Sequence, residues 1–236
     1  MTGRRQGRTA GRVLFVILLL SAANAAATGR PVTFRAADGR SVNALIFEAV
    51  QRPSPAVVLV PMLGRGRDDW QAVGDRLADA NITALAIDLP GLGVPGNQQS
   101  LAAWHADVVA AVTFLASRPD VRPSSIGVAG ASVGASLAAL AGAADARIRA
   151  LALVSPSLDY RGVRIESTMK QFARPALLVA SLGDPYAARS ARELARESAG
   201  LREMHWSDVT AHGTMLLSRD PDAAAALVEW FRRTLG

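Results

Sequence analysis

The sequence predicts an α/β protein with a mostly parallel central sheet and helices on both faces. From residue 56 onwards, short apolar runs alternate with segments whose apolar residues have helical spacing. The runs at 56–60 and 176–180 are continuously apolar, as in strands that are covered on both faces. Loops rich in glycine and polar residues follow several of these runs. Ligands of parallel sheets bind at the carboxyl ends of the strands, so these loops are the first places to look for chemistry.

Length and composition favour one domain. The chain has 236 residues, half of them hydrophobic, and contains no cysteine. A chain of this size can bury a large aliphatic core without disulfides. It contains no internal repeat and no low-complexity linker, so residues 28–236 are predicted to form a single domain.

Residues 1–27 are predicted to be a signal peptide. The arginines at 4, 5, 8 and 12 precede the apolar stretch 13–20, and Ala-x-Ala sites allow cleavage after Ala25 or Ala27. The apolar stretch is shorter than the roughly 20 residues that span a bilayer. We therefore expect an exported protein, periplasmic or secreted, without stable membrane insertion after cleavage. An uncleaved anchor is the alternative.

The net charge does not indicate a nucleic-acid partner. The formal charge is +6, but four arginines and no acidic residue lie in the predicted leader, which leaves 22 basic and 20 acidic residues and a net charge of +2. The remaining chain has no basic cluster with interleaved aromatic residues. The oligomeric state is left open by the sequence.

The predicted elements alternate in type along the chain. The first two predicted strands, 31–35 and 41–48, form a hairpin around an Asp-Gly turn. The other predicted strands are 56–60, 82–87, a run that ends just before Ser132, 149–154, 176–180 and 201–206. The predicted helices are 68–80, 101–117, 135–144, 186–199 and 222–235. Residues 155–174 are predicted to be irregular, and this stretch is too short for a large cap domain.

Ser132 lies in the pattern Gly130-x-Ser132-x-Gly134, between an apolar strand and an alanine-rich helix. A sharp strand-to-helix turn exposes a serine side chain at the sheet edge and leaves no room for bulky residues two positions away. The pattern therefore predicts a nucleophilic serine. The alternative is an ordinary serine that caps a helix N-terminus.

An acidic residue and a histidine follow at later strand ends. Asp184 comes after the strand at 176–180, where it can orient an imidazole or cap the next helix with Pro185 at its first position. His212 lies in a polar loop after the last strand. The chain order Ser132, Asp184, His212 is that of one hydrolase architecture and differs from the orders of chymotrypsin-type and subtilisin-type enzymes.

Other titratable residues have simpler interpretations. His105, in a helix beside Trp104, and His205, inside a strand, are predicted to pack or to lie on the surface. Asp88 precedes a turn and is interpreted as an acceptor that fixes a loop. Asp159 also follows a strand and is the alternative to Asp184 as the acid.

These motifs resemble those of the α/β-hydrolases, in particular the compact dienelactone-hydrolase-like serine esterases. The resemblance covers the chain after the leader and depends on five segments: 60–64 with the Asp-Asp-Trp at 68–70, 88–93, 130–134, 182–184 and 211–213. It implies Ser132 as nucleophile, Asp184 as acid and His212 as base. It also implies an oxyanion hole formed by the backbone N–H groups of Leu63 and Val133, with Met62 as an alternative to Leu63.

One departure from the family pattern concerns the loop after the strand at 56–60. The family usually has His-Gly there, where this chain has Pro61-Met62. Because backbone N–H groups form the oxyanion hole, the side chains at these positions need not decide its function. A methionine in place of glycine is nevertheless expected to narrow the space beside the serine.

The predicted function is hydrolysis of a carboxylic ester through an acyl-enzyme. The sequence contains no metal-ligand cluster and no cofactor motif, so no cofactor and no metal are predicted, and the expected partner is a small ester or acyl compound. Thioester, lactone and peptide hydrolysis are alternatives within the same chemistry. The alternative to an enzyme is a binding protein that retains the fold without catalysis.

Overall fold

The computed structural model describes residue 2 and residues 29–89, 98–196 and 198–236. The predicted leader, apart from residue 2, and residues 90–93 of the loop after the strand at 82–87 lie outside the described residues. Within the described part, one main sheet is built from β1 (Arg30–Arg35), β2 (Ser41–Phe47), β3 (Ser54–Val60), β4 (Thr83–Ile87), β5 (Val121–Ala131), β6 (Ile148–Val154), β9 (Ala176–Ser181) and β10 (Arg202–Ser207).

The strands of the main sheet follow the order β1-β2-β4-β3-β5-β6-β9-β10. β1 pairs with β2 and β2 pairs with β4 in antiparallel fashion, whereas the pairs from β4 to β10 are parallel. Gly39, with φ of 82°, lies in the turn between β1 and β2. The predicted hairpin and the predicted mostly parallel sheet are therefore confirmed.

Helices cover both faces of the sheet, as predicted. The α-helices within the described residues are α1 (Gln71–Asp79), α2 (Gln98–Ala116), α3 (Val133–Ala144), α4 (Glu166–Gln171), α5 (Pro185–Ala195), α6 (Thr214–Arg219) and α7 (Pro221–Leu235). Buried residues of α2 to α5 pack on one face, and those of α1, α6 and α7 pack on the other. Among the described residues, no helix combines the length and apolar character needed to cross a bilayer.

The core is divided between the two faces of the sheet. All seven residues of β3 are buried, because helices cover this central strand from both sides. Trp104 of α2 is buried on one face and Trp230 of α7 on the other. The indole N–H of Trp230 donates to the carbonyl oxygen of Leu151 at 2.9 Å, so the polar atom of this buried ring is satisfied.

The strand order reverses beside β3. The chain runs from β3 through α1 to β4 on one side, and then through α2 to β5 on the other side. The connections that leave β3 therefore diverge, which opens a crevice at the carboxyl ends of β3 and β5. The loop after β3 and the turn that contains Ser132 border this crevice.

The prediction of an irregular stretch at 155–174 is wrong. Residues Asp159–Tyr160 (β7) and Val163–Arg164 (β8) form a small antiparallel hairpin, and α4 follows it. Arg161 and Gly162 connect the strands with φ values of 51° and 85°. Two positive φ angles at the centre of a two-residue turn suit the twist of a hairpin. Strands of two residues are too short to produce an alternating pattern in the sequence.

The helices α5 and α6 also differ from the predictions. α5 ends at Ala195 instead of continuing to 199, because the backbone of Arg196 is extended and the N–H of Ala199 donates to the Lys170 carbonyl at 3.1 Å. α6 was not predicted. It has six residues, fewer than two helical turns, so it presents too little periodicity to be recognised.

The N-terminus of α7 gives a prediction about stability. The Asp220 carboxylate accepts hydrogen bonds from the N–H groups of Asp222 and Ala223 at 3.0 and 3.2 Å and from the Ser207 hydroxyl. Asp220→Ala is expected to lower the free energy of unfolding by about 1 kcal/mol, measured by urea denaturation, because the cap is lost. Asp222→Ala, which leaves this cap intact, is the control. Equal effects of the two substitutions would contradict this role of Asp220.

A second prediction concerns the two glycines of α3. A Cβ at Gly134 would lie 2.5 Å from the Val60 carbonyl oxygen and 2.6 Å from that of Pro61, which are backbone atoms that cannot move aside. A Cβ at Gly142 would meet only side-chain carbons, at 3.0 Å or more. Gly134→Ala is expected to lower the melting temperature strongly, and Gly142→Ala only slightly, in thermal unfolding. Similar melting temperatures for both variants would show that α3 does not need the close approach to β3.

Candidate active site

Ser132 occupies a strained turn between the end of β5 and the start of α3. Its backbone has φ of 54° and ψ of −116°, a conformation that residues other than glycine rarely adopt. Its N–H donates to the Val154 carbonyl at 2.9 Å, which ties the turn to the neighbouring strand β6. The turn projects the serine side chain at the carboxyl edge of the sheet.

The flanking glycines allow this turn to form. A Cβ at Gly130 would overlap the carbonyl oxygen of Gly134, and a Cβ at Gly134 would collide with the loop after β3. Ser132 occupies the N-cap position of α3, but its side chain makes no capping hydrogen bond. The interpretation of this serine as an ordinary helix cap is therefore wrong, and its hydroxyl has another partner.

That partner is His212. The Nε2 atom of His212 lies 2.9 Å from the Ser132 hydroxyl oxygen, and its Nδ1 atom lies 2.5 Å from Oδ2 of Asp184. The three residues follow three different strands, β5, β10 and β9, and they meet at one edge of the sheet. The His212 side chain is 44% exposed and the Asp184 side chain 19%, so the imidazole can be reached from solvent while the carboxylate is more enclosed.

Asp184 serves two structural purposes at once. Its Oδ1 atom accepts a hydrogen bond from the Ala187 N–H at 3.1 Å and caps α5, with Pro185 in the first turn. Its Oδ2 atom is the one that contacts His212. The two interpretations of this residue that the sequence left open are therefore compatible, because each uses a different carboxylate oxygen.

Asp159 and Asp88, the other acidic residues considered from the sequence, have hydrogen-bond partners outside this site. The Asp159 carboxylate accepts hydrogen bonds from Nε of Arg164 at 3.0 Å and from the Gly162 N–H at 2.7 Å. Both hydrogen bonds lower the pKa of Asp159, and the bond from Arg164 has the larger effect. The Asp88 carboxylate accepts from the Arg67 N–H at 2.9 Å. Asp88 therefore fixes a loop, as predicted, and Asp159 stabilises the β7–β8 hairpin.

The two remaining histidines lie in the elements predicted for them. His205 is within β10, and His105 is within α2. Burial lowers the pKa of His105, and its Nε2 atom is buried without a hydrogen-bond partner among the described residues. No hydrogen bond or ion pair among the described residues joins either histidine to Ser132, His212 or Asp184.

The loop after β3 lies directly beside this group. The Val60 and Pro61 carbonyls abut Gly134, and a Cβ at Gly213 would overlap the sulfur of Met62. The Met62 side chain therefore packs against the residue that follows His212. Within the described chain, the N–H groups of Leu63 and Val133 donate to no acceptor.

Ser155 supports the histidine and was not identified from the sequence. It follows β6, is 1% exposed and has φ of 47°. Its hydroxyl accepts a hydrogen bond from the Gly213 N–H at 2.9 Å. The signal that could have found it is its position as a polar residue directly after a buried strand.

The protonation of His212 follows from its partners. An ionised carboxylate only accepts hydrogen bonds, so Nδ1 of His212 carries a proton and donates it to Asp184. In the neutral imidazole Nε2 is then the acceptor, and it receives the hydrogen bond of the Ser132 hydroxyl. A hydroxyl, an imidazole and a carboxylate in this order can generate a nucleophilic oxygen.

Comparisons with known proteins agree with this fold. A family model described as "Serine aminopeptidase, S33" matches residues 51–218, more than half of the chain. The polyketide transferase ATR5 of Stachybotrys chlorohalonatus is 28% identical over 138 residues, which cover 56% of this chain and 46% of that protein. The chain thus aligns with about half of the length of this relative.

Solved structures of low sequence identity share the fold. A complex of DcsB with its substrate analogue has a TM-score of 0.78 at 14% identity and covers 89% of this chain and 100% of that one. Dienelactone hydrolase from Anabaena variabilis has a TM-score of 0.69 at 16% identity, with coverage of 88% and 97%. The esterase domain of a Rhodothermus marinus protein has a TM-score of 0.70 at 19% identity, with coverage of 88% and 99%.

The predicted fold, an α/β-hydrolase similar to dienelactone hydrolase, is therefore confirmed. The sheet order, the strained serine turn and the match of the family model agree with one another. The chain belongs to the serine aminopeptidase S33 family and is an enzyme with the α/β-hydrolase fold.

Proposed function

We propose that this hydrolase cleaves small carboxylic esters through an acyl-enzyme on Ser132. The observation that carries the proposal is the pair of contacts made by His212, at 2.9 Å from the Ser132 hydroxyl and 2.5 Å from the Asp184 carboxylate. Distances of this size permit proton transfer without rearrangement.

In the proposed reaction, Ser132 attacks the ester carbonyl while Nε2 of His212 takes the hydroxyl proton. The imidazolium then donates that proton to the leaving alcohol, and a water molecule repeats the sequence in the second half-reaction, which releases the acid and restores Ser132. Asp184 holds the imidazole in the required tautomer and stabilises its positive charge.

We assign the oxyanion hole to the N–H groups of Leu63 and Val133. Val133 is the first residue of α3, where an N–H has no acceptor within its helix. The loop that contains Leu63 abuts the same helix end through the contacts of Gly134. Two such donors, each unoccupied in the described chain, suit the developing negative charge, and Met62 is the alternative to Leu63.

The surroundings of the site suit small ester substrates. Between β6 and β9 the chain contains only the β7–β8 hairpin and α4, so the described residues provide no large cap. Leu182 and Tyr186, on either side of Asp184, are 48% and 52% exposed and offer an apolar rim. The name of the family makes aminoacyl substrates the second class to test.

We also propose that the protein is exported and that residues 1–27 are removed. The support is the order of the basic start, the apolar stretch at 13–20 and the Ala-x-Ala sites.

The first prediction from this proposal concerns catalysis. Wild-type protein is expected to hydrolyse p-nitrophenyl esters of graded acyl length and to be labelled by a fluorophosphonate probe. Ser132→Ala should lower kcat by at least about a thousandfold and abolish labelling, because the nucleophile is absent. Amino acid p-nitroanilides, run in parallel, separate ester from peptide chemistry. A folded wild-type protein that is never labelled would favour a binding protein without catalysis.

The second prediction separates the two tasks of Asp184. An asparagine side chain would still offer a carbonyl oxygen to the Ala187 N–H, so Asp184→Asn should leave the free energy of unfolding within about 0.5 kcal/mol of wild type. It should lower kcat by about a thousandfold or more, because an amide cannot hold the imidazole in the same tautomer. Unchanged kcat with normal stability would remove Asp184 from the proposed mechanism.

The third prediction concerns the leader. When the full chain is expressed in a bacterium with a general secretion pathway, the exported form should have the mass of a chain that begins at residue 26 or residue 28. Mass spectrometry of the periplasmic and medium fractions measures this directly. An uncleaved chain in the membrane fraction would favour the anchor alternative.

A further inference from the structure

The segment 212–214, which carries the predicted base, is held by polar contacts from two separate loops. On one side, the Gly213 N–H donates to the buried hydroxyl of Ser155 at 2.9 Å. On the other side, the Thr214 hydroxyl donates to Oδ2 of Asp69 at 2.7 Å. The first contact comes from the loop after β6 and the second from the loop after β3.

The contact between Thr214 and Asp69 is anchored at both ends. Thr214 is 2% exposed and is the first residue of α6. Asp69 lies in a short 3-10 helix, Arg67–Trp70, whose last residue is completely buried, and its carboxylate also pairs with Arg65 at 3.6 Å. Neither partner can move far without disturbing the core, so the hydrogen bond holds two segments at a set distance.

The segments joined in this way carry different parts of the proposed machinery. Thr214 follows His212 by two residues, and Asp69 belongs to the segment that begins with Leu63. The Met62 side chain packs against Gly213 between them. The hydrogen bond therefore sets the position of the imidazole relative to the loop that is proposed to bind the oxyanion.

His212 depends on such support because its own side chain is 44% exposed. Its ring is oriented by Asp184 and Ser132, but the position of its backbone depends on Gly213 and Thr214. A displacement of about 1 Å at a reacting group can lower a rate by about a hundredfold. A side chain remote from the substrate can therefore affect catalysis through this segment.

We propose that Asp69, through the hydroxyl of Thr214, is a positioning residue that keeps His212 in register with Ser132 and with the loop after β3. This inference rests on the proposed function and extends it to two residues that do not touch the reacting atoms. Asp69 provides the fixed acceptor, Thr214 provides the donor, and His212 is the group that they hold.

The test uses two matched pairs of variants in the full chain. Thr214→Val removes the hydroxyl and keeps the shape, whereas Thr214→Ser keeps the hydroxyl. Asp69→Ala removes the acceptor, and Asp68→Ala removes the neighbouring carboxylate, which makes no hydrogen bond or ion pair to any described residue. Melting temperature, kcat and KM for a p-nitrophenyl ester, and the downfield proton resonance of the bond between His212 and Asp184 are measured for each.

We expect Thr214→Val and Asp69→Ala to lower kcat by about tenfold with KM within about twofold of wild type, because transition-state geometry is lost and ground-state binding is kept. The downfield resonance should broaden or shift in the same two variants. Thr214→Ser should retain at least half of the wild-type kcat, and Asp68→Ala should match wild type in every measurement.

Other results would overturn the proposal. A lower melting temperature with unchanged kcat and resonance in Thr214→Val would indicate a structural contact only, as would failure of Thr214→Ser to restore kcat. If the wild-type protein neither hydrolyses the esters nor reacts with the fluorophosphonate probe, the proposed function fails. The resonance of His212 then decides the positioning role by itself, since it reports the geometry without turnover.

Discussion

The backbone of Ser132 is the constraint on which the rest of the site depends. With φ of 54°, it turns the chain from β5 into α3 within one residue, in a conformation that an L-residue adopts only when its surroundings enforce it. The surroundings are the contact between Gly130 and Gly134, the carbonyls of Val60 and Pro61 against α3, and the hydrogen bond to β6. Because of this tight packing, the hydroxyl points to the edge of the sheet. There it contacts His212 and does not cap α3.

The parallel sheet brings the remaining groups to the hydroxyl. β6, β9 and β10 lie in order beside β5, so the loops that follow them open at the same edge. Asp184 and His212 are carried by adjacent strands, and one carboxylate oxygen holds α5 while the other holds the imidazole. The same side chain thus contributes to helix stability and to the orientation of the proposed base.

Two of the four described residues that combine a positive φ with a side chain, Ser132 and Ser155, lie at the site. Ser132, Ser155 and Gly213 all have positive φ, with values of 54°, 47° and 59°, and hydrogen bonds connect them either to one another or to the strand between them. Gly213 adopts its positive φ without strain, whereas the conformations of Ser132 and Ser155 persist only where packing over-determines the chain, as is common at functional sites. The contacts of Asp69 and Thr214 extend the same support to the other side of His212.

Contiguous residues by themselves determined the fold class, most strands and helices, and Ser132 with its two glycines, because hydrophobic spacing and a tight turn are local properties. The tertiary structure decided which acid meets His212. Asp184 and Asp159 both follow strands, and only the strand order and the separate partners of Asp159 distinguish them. It also decided the β7–β8 hairpin, α6 and the support from Ser155, Asp69 and Thr214. The hairpin and α6 are too short to produce a periodic pattern, and the support of His212 depends on contacts between residues far apart in the chain. The position of Ser155 after a buried strand marks it as a candidate but does not show which residue it contacts.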